Sequence, residues 1–135
     1  MILGFDPGRD KCGVAILDSD RQIIMHQVVA AHEAIAKINS LISQYSISLI
    51  VIGDQTTSKL WHQKLVTALP EVAVEFVDER NSTLEARDRY WQLYPAQGLQ
   101  KLIPKSLRVP PRPIDDIVAI LLLERYLACS NLTQD

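Results

Sequence analysis

The segment Ile2–Gly8, with the sequence ILGFDPG, is a short apolar run that ends at an aspartate and a Pro-Gly turn. We predict a first strand at Ile2–Phe5 and a second at Cys12–Leu17, since two apolar runs joined by a polar turn are typical of a β-hairpin. After a further turn at 18–20, Gln22–Val29 has the β-branched and apolar composition of a third strand. The chain therefore begins with a predicted three-stranded antiparallel meander.

The next part of the sequence alternates between helical and strand patterns. Apolar residues recur every three to four positions over Ile35–Tyr45, as an amphipathic helix requires. The run Leu49–Ile52 has no polar alternation, which predicts a strand buried on both faces of a parallel sheet. A second amphipathic helix should end before Pro70, and Val72–Val77 should form a fifth strand.

The last third of the sequence predicts two more helices separated by an irregular segment. A helix is expected from Ser82 to about Leu93, with Ser82 and Glu85 as a capping box. The segment Pro95–Pro113 holds five prolines and a glycine and is expected to be a long loop. A final helix is expected at Ile114–Ala128, apolar around most of its circumference and therefore buried.

These elements predict an α/β fold with a five-stranded mixed sheet, in which two parallel strands extend the antiparallel meander and helices cover both faces. The chain has 135 residues and 47% hydrophobic content, which suits a single domain over residues 1–135. The longest apolar run, Ile117–Leu123, is far shorter than the roughly 20 residues that a membrane span needs. Cys12 and Cys129 have no metal-site or disulfide spacing and no signal peptide is recognisable, so we expect a cytoplasmic location.

Acidic residues cluster where the predicted strands end. The third strand of a meander runs parallel to the first, and helical crossovers make the fourth and fifth strands parallel to both. Four strands therefore share one carboxyl edge, where open α/β sheets place their ligand sites. The acids expected at that edge, if the final helix also begins there, are Asp6, Asp54, Asp78, Glu79, Asp115 and Asp116.

Carboxylates that converge repel one another, so such a cluster normally contains a cation. Hard oxygen ligands favour Mg²⁺ or Mn²⁺, and two such ions about 3.5–4 Å apart can activate water and stabilise the leaving oxygen of a phosphodiester. This pattern indicates a metal-dependent nuclease.

Local explanations for the same acids remain open. Asp6 can be a turn former before Pro-Gly, and Asp54 can cap the helix that follows it. Of the neighbours Asp78 and Glu79, one must face away from the cluster. The same holds for Asp115 and Asp116, because consecutive residues lie about 100° apart around a helix.

Basic residues are concentrated in one part of a chain whose net charge is −2. The segment Arg80–Arg112 also contains Tyr90, Trp91 and Tyr94, and basic and aromatic side chains together are typical of surfaces that hold phosphates and unpaired bases. The alternative is that the aromatic residues pack the helix onto the sheet. The candidate nucleic-acid-binding residues there are Arg80, Arg87, Arg89, Lys101, Lys105 and Arg108; beside the first aspartate they are Arg9 and Lys11.

Four motifs in order resemble the YqgF family, the Holliday-junction-resolvase or pre-ribosomal-RNA nuclease group of the RNase H-like superfamily. The opening segment Ile2–Gly8 with Gly13–Ile16 resembles the family's first hairpin, and Ile50–Gly53 resembles its fourth strand. Val77–Arg80 resembles its acidic motif after the fifth strand. The last motif, its final helix, is matched by Ile114, Asp115, Ala119 and Leu123–Leu127.

The resemblance implies catalysis by Asp6, Glu79 and Asp115 with two Mg²⁺ or Mn²⁺ ions, with Asp116 as a close second to Asp115. It also implies a substrate of structured nucleic acid, either Holliday-junction-like DNA or precursor rRNA; a homodimer remains open. The chain departs from the family pattern at Arg9 and at Asp54-Gln55, and Asp54 is an additional candidate ligand.

Two other functional classes remain open. One is a nucleic-acid-binding module that kept the fold without efficient chemistry. The other is an actin-like or sugar-kinase-like nucleotide binder, which normally needs two such domains and would require a partner chain. Metal-free hydrolysis is not favoured, because His26, His32 and His62 are expected to be ordinary surface residues.

Overall fold

The computed structural model describes residues 1–55, 57–104 and 107–133, with the backbone alone for 130–133. The strands are β1 Ile2–Asp6, β2 Lys11–Leu17, β3 Ile23–Ala30, β4 Leu49–Gly53 and β5 Ala73–Val77. The helices are α1 Ala34–Tyr45, α2 Ser58–Ala68, α3 Ser82–Leu93 and α4 Asp115–Thr133, with short 3₁₀ helices at Ala31–Glu33 and Gly98–Leu102.

The five strands form one sheet in the order β3-β2-β1-β4-β5. The pairs β1–β2 and β2–β3 are antiparallel, whereas β1–β4 and β4–β5 are parallel. Strands β1, β3, β4 and β5 therefore point the same way, and their carboxyl ends lie at one edge. The mixed sheet expected from the sequence is confirmed.

Each face of the sheet carries its own apolar core, because side chains alternate between the faces along every strand. Leu3 and Phe5 of β1 pack with α1 and α2, and the ring of Phe5 meets Trp61 edge-on at 5.2 Å between centroids. The opposite face is covered by α3 and α4. There the backbone of α4 lies directly on the sheet, since a Cβ at Gly4 would come within 2.5 Å of the Ala119 carbonyl oxygen.

Two local expectations need correction. The capping box at the start of α3 is wrong: Asn81 is the cap residue, with φ 59°, and it makes no side-chain cap hydrogen bond. Ser82 is instead buried and its N–H donates to the Glu79 carbonyl, while Glu85 forms an ion pair with Arg125 at 2.8 Å. Helix α4 is also longer than expected, since it continues to Thr133.

The proline-rich segment 95–113 is irregular apart from its short 3₁₀ helix, as far as its residues are described. The Nε of Arg108 donates to the carbonyls of Gln100 and Ile103, which ties this loop to itself. Nowhere in the described chain is there a helix with the length and apolar character that a membrane crossing requires.

Candidate active site

Asp6 lies at the carboxyl end of β1, between two glycines on neighbouring strands. It pairs with Gly13 of β2, and on the other side Gly53 follows the residue that pairs with Phe5. Its side chain is 9% exposed and lies on the face covered by α4, as the alternation along β1 requires. The two glycines leave space on both sides of the Asp6 carboxyl group.

The first space is filled by Glu79. A Cβ placed on Gly53 would lie within 2.5 Å of the Glu79 Cδ, so the carboxyl group of Glu79 occupies the position of the missing side chain. There Glu79 is 6% exposed and hydrogen-bonded to the Asp6 side chain. The Oδ1 of Asp54 accepts a hydrogen bond from the Glu79 backbone N–H at 3.2 Å, which fixes the residue just after β5.

The second space is filled by the start of α4. A Cβ on Gly13 would clash with the backbone of Asp115 and with the Asp116 nitrogen, so the first turn of α4 rests on β2 at this glycine. This close approach brings the Asp115 charge near enough to act on Asp6. Three acids from β1, the β5–α3 connection and α4 therefore meet at one edge of the sheet.

Burial and mutual repulsion change the pKa values of the acids in the cluster. Burial raises the pKa of Asp6 to about 9, helped by the hydrogen bond to Glu79 and by the charges of Glu79 and Asp115. Burial also raises the pKa of Asp115, and the charge of Asp116 adds to that rise while Lys11 opposes it. Asp6 therefore keeps a proton at neutral pH, and this proton lies between two carboxyl groups.

The structure separates the two ambiguous pairs of acids. Asp78 is exposed; its Oδ1 accepts the N–H of Arg80, and its carbonyl accepts a hydrogen bond from Arg125. Asp116 is 2% exposed and is fully engaged by Arg112 at 3.0 Å and by His26 Nδ1 at 2.6 Å. Glu79 and Asp115 are thus the members of each pair that take part in the cluster around Asp6.

Asp54 does not act as the helix cap that the sequence left open. The cap residue of α2 is Thr57, without a side-chain cap hydrogen bond, and Asp54 contacts Glu79 instead. Its side chain is exposed at the rim of the cluster.

The cluster provides carboxylate oxygens, which suit a hard cation, but these oxygens are not arranged as a coordination shell. Within the described ranges, no group of three acidic, histidine or cysteine side chains is positioned to hold a metal ion as it stands. The side chains of Asp6 and Glu79 are nevertheless in hydrogen-bond contact, so one cation held by both would neutralise both. Carboxylate oxygens are the ligands that Mg²⁺ and Mn²⁺ prefer, so the chemistry of these residues fits such an ion.

The candidate nucleic-acid-binding residues fall into two groups. Arg89 forms two hydrogen bonds with the carboxylate of Glu124, both of 3.2 Å, and Arg108 holds the carbonyls of the proline-rich loop. These contacts favour structural roles for both arginines. Lys105 lies outside the described residues. The side chains that are exposed are Arg9, Lys11, Arg80, Arg87 and Lys101.

The aromatic residues of α3 pack as the alternative interpretation expected. Tyr90 and Trp91 are each 7% exposed and belong to the core under α4. Arg112 lies over the rings of Tyr90 and Tyr94, at 5.5 and 5.8 Å from their centroids, so these rings are covered by a side chain of the same molecule. Base stacking on Tyr90 and Trp91 is not available in this arrangement.

Sequence reasoning missed three residues that shape the site. Gly13 and Gly53 provide the spaces for α4 and for Glu79. The expectation that His26 is an ordinary surface residue is wrong, because it bonds the buried Asp116 and contacts the Tyr94 hydroxyl at 3.2 Å. Paired glycines on strands that flank an acidic strand end were the available signal for the first two; His26 had none, since its partner lies 90 residues away.

The mixed sheet with helices on both faces defines an RNase H-like α/β protein, with its acids at the carboxyl edge. The solved structure of Thermus thermophilus RuvC has this fold, with a TM-score of 0.60 and 12% identity over 97% of this chain and 95% of that one. Fowlpox virus resolvase, solved with Holliday junction DNA, gives a TM-score of 0.58 and 13% identity over 96% and 99% of the two chains.

The chain belongs to the RuvX family, which is described as Holliday junction resolvase, and the family model matches residues 1–129. Among its relatives, a Bacteroides fragilis protein is 27% identical over 97% of this chain and 98% of its own length. A Chloroflexus aggregans protein is 31% identical over 93% and 92%. Both relatives bear the name "Putative pre-16S rRNA nuclease". The family resemblance seen in the sequence is confirmed.

Proposed function

We propose that this protein is a metal-dependent endonuclease that hydrolyses phosphodiester bonds of structured nucleic acid. Asp6, Glu79 and Asp115 are the residues that hold the metal and face the scissile phosphate. The observation that carries the proposal is the burial of Asp6 and Glu79 side by side at the carboxyl edge of the sheet, with Asp115 close to them. Burial of two neighbouring acids costs free energy, and a cation bound between them would offset that cost.

The residues around the cluster have distinct tasks in this proposal. Two Mg²⁺ or Mn²⁺ ions held by Asp6, Glu79 and Asp115 would activate water and stabilise the leaving oxygen. Asp54 holds the Glu79 backbone, and its exposed carboxylate is available as an additional ligand. Asp116 has both oxygens occupied by Arg112 and His26, so we assign it the positioning of α4 rather than metal binding.

We infer that the substrate is held by exposed basic side chains, namely Arg9, Lys11, Arg80, Arg87 and Lys101. Lys11 is near enough to Asp115 to lower the pKa of that acid, so its ammonium group lies beside the proposed metal site. An exposed cation there attracts the phosphate backbone before chemistry occurs.

The names of the relatives point to two substrates, branched DNA and precursor 16S rRNA. The test is a cleavage panel of a four-way DNA junction, precursor 16S rRNA, and linear duplexes of each kind, with Mg²⁺, Mn²⁺ or a chelator. We expect cleavage of one structured substrate, dependent on metal. Cleavage of a junction on opposed strands would further require two active sites and thus a homodimer. Binding without cleavage of any substrate would instead favour a non-catalytic module.

A further inference from the structure

A cavity of about 470 Å³ lies at the carboxyl ends of β4 and β5, on the face of the sheet that carries α2. Its lining residues are Asp54, Gln55, Ser58, Lys59 and Phe76. Asp54 connects the cavity to the segment that carries Glu79, because its Oδ1 accepts the Glu79 backbone N–H at 3.2 Å. A ligand that contacts Asp54 in this cavity is therefore one hydrogen bond away from the backbone of Glu79.

One side of the cavity presents an exposed aromatic ring. Phe76 is 43% exposed on β5, the edge strand of the sheet. The ring is held in place by stacking on His62, with centroids 4.9 Å apart and planes inclined by 20°. A fixed and exposed aromatic face is a platform on which any nucleobase can stack, since every base has a π-face.

The other side of the cavity is polar and lies at the start of α2. Ser58 is 1% exposed, and its hydroxyl has no hydrogen-bond partner in the described chain. Buried hydroxyl groups usually have a partner, and a ligand in the cavity would supply the partner that the described residues do not. Ser58 opens an eleven-residue helix, whose N-terminus favours an anion, and the exposed Lys59 adds a positive charge.

We propose that this cavity binds one unpaired nucleotide of the substrate, with its base stacked on Phe76 and its phosphate at Ser58 and Lys59. This inference rests on the proposed nuclease function and narrows its substrate class. A base can reach Phe76 only after it leaves its helical stack, so the preferred substrate has an unpaired nucleotide next to the cleavage point. Branch points and single-stranded extensions meet this requirement, and continuous duplex does not.

The first test measures the base stack. The parent and F76L bind oligonucleotides that carry 2-aminopurine at successive positions around a branch or a single-strand junction, with Ca²⁺ in place of Mg²⁺. We expect one position at which the parent changes the fluorescence, and F76L to abolish that change and weaken binding about 5- to 150-fold, which is the loss of one stack. F76Y should restore both. L60A is the matched control, because it removes an exposed apolar side chain elsewhere, on α2. It should behave as the parent.

The second test separates the phosphate from the base. K59Q should lower the slope of log affinity against log salt by about 0.7–0.9, because one phosphate contact is lost. F76L should leave this slope unchanged. K64Q, on the same helix but lining a different cavity, is the control and should keep the parental slope.

The outcomes distinguish the two proposals. Parental affinity and fluorescence in F76L, together with parental metal-dependent cleavage, would overturn the nucleotide cavity and leave the nuclease intact. A parent that binds none of the nucleic acids would overturn both. A parent that cleaves continuous duplex as fast as branched or single-stranded substrate would also contradict the cavity proposal.

Discussion

The carboxyl group of Glu79 occupies the space that a side chain at Gly53 would fill. Gly53 ends β4 and pairs with Val77 of β5, and Glu79 follows Val77 by two positions, in the connection to α3. The absence of a side chain at one residue thus sets the position of the acid at the other. Burial beside Asp6 follows from this arrangement, and so does the shared proton.

Gly53→Ala should therefore displace Glu79 while leaving the sheet intact. We expect the variant to lose cleavage to the level of Glu79→Ala, with a stability cost of about 1–3 kcal/mol for the added methyl group. Cleavage rates and denaturant unfolding measure the two effects. The double variant Gly53→Ala/Glu79→Ala is the control: if it cleaves much more slowly than either single variant, the glycine does not act through Glu79.

Asp6→Asn should stabilise the metal-free protein at neutral and alkaline pH. The unfolded chain loses the Asp6 proton near its ordinary value of 3.8, whereas the folded chain keeps it up to a pKa of about 9. Between these values the unfolded state binds fewer protons, so this group lowers stability as pH rises from about 4 to 9.

The asparagine variant should accordingly be more stable than the parent by on the order of 5 kcal/mol at pH 8 and equally stable near pH 4. Unfolding by denaturant in a chelating buffer measures the difference. Asp10→Asn, which removes an exposed acid in the β1–β2 turn, serves as the control for the loss of one surface carboxylate. A constant difference between Asp6→Asn and the parent across this range would contradict the shared proton.

Substitution of Asp115 should mainly lower cleavage, whereas substitution of Asp116 should mainly lower stability. Asp115→Ala is expected to reduce cleavage by more than about 100-fold, beyond the usual loss for an outer-shell partner, with little loss of stability. Asp116→Ala leaves His26 and Arg112 without their buried partner and should cost about 3–5 kcal/mol. If Asp116→Ala lost cleavage and Asp115→Ala lost stability, Asp116 would be the ligand and α4 would be rotated in solution.

Two arginines on α3 should also differ, one affecting substrate binding and the other affecting stability. Arg87 is exposed, so Arg87→Gln should lower the salt slope of substrate binding by about 0.7–0.9 without changing stability. Arg89 is paired with Glu124, so Arg89→Gln should cost about 0.5–1 kcal/mol and leave the slope unchanged. Filter binding at several salt concentrations decides between them, and equal slopes for Arg87→Gln and the parent would place the substrate elsewhere.

The strands of the sheet and their directions could be predicted, because they follow from local apolar patterns and from the kind of connection between strands. The uninterrupted apolar run of β4 specified a central strand, and β4 lies between β1 and β5. The start of α3 could not be predicted in the same way. Its sequence fits a capping box, but Asn81 adopts a left-handed conformation at the cap and Ser82 is drawn into the protein interior.

The location of the acids followed from strand direction, whereas their orientation depended on residues far away in sequence. Asp78 and Glu79 are equivalent by local spacing, and Gly53 decides between them. Asp115 and Asp116 are likewise equivalent on an isolated helix. His26 on β3 and the close contact at Gly13 determine which of the two acids faces the cluster. Both residues approach α4 only in the folded sheet.

The central claim is that Asp6 and Glu79 hold a divalent cation, and Mn²⁺ binding followed by electron paramagnetic resonance tests it without knowledge of the substrate. The parent and Asp10→Asn should bind Mn²⁺ with the same affinity, and Mg²⁺ should compete. Asp6→Asn and Glu79→Gln should each weaken that binding at least about 10-fold, while their folded structures persist in circular dichroism. Parental Mn²⁺ affinity in both variants would contradict the account, since the cation would then bind somewhere other than the buried carboxyl pair.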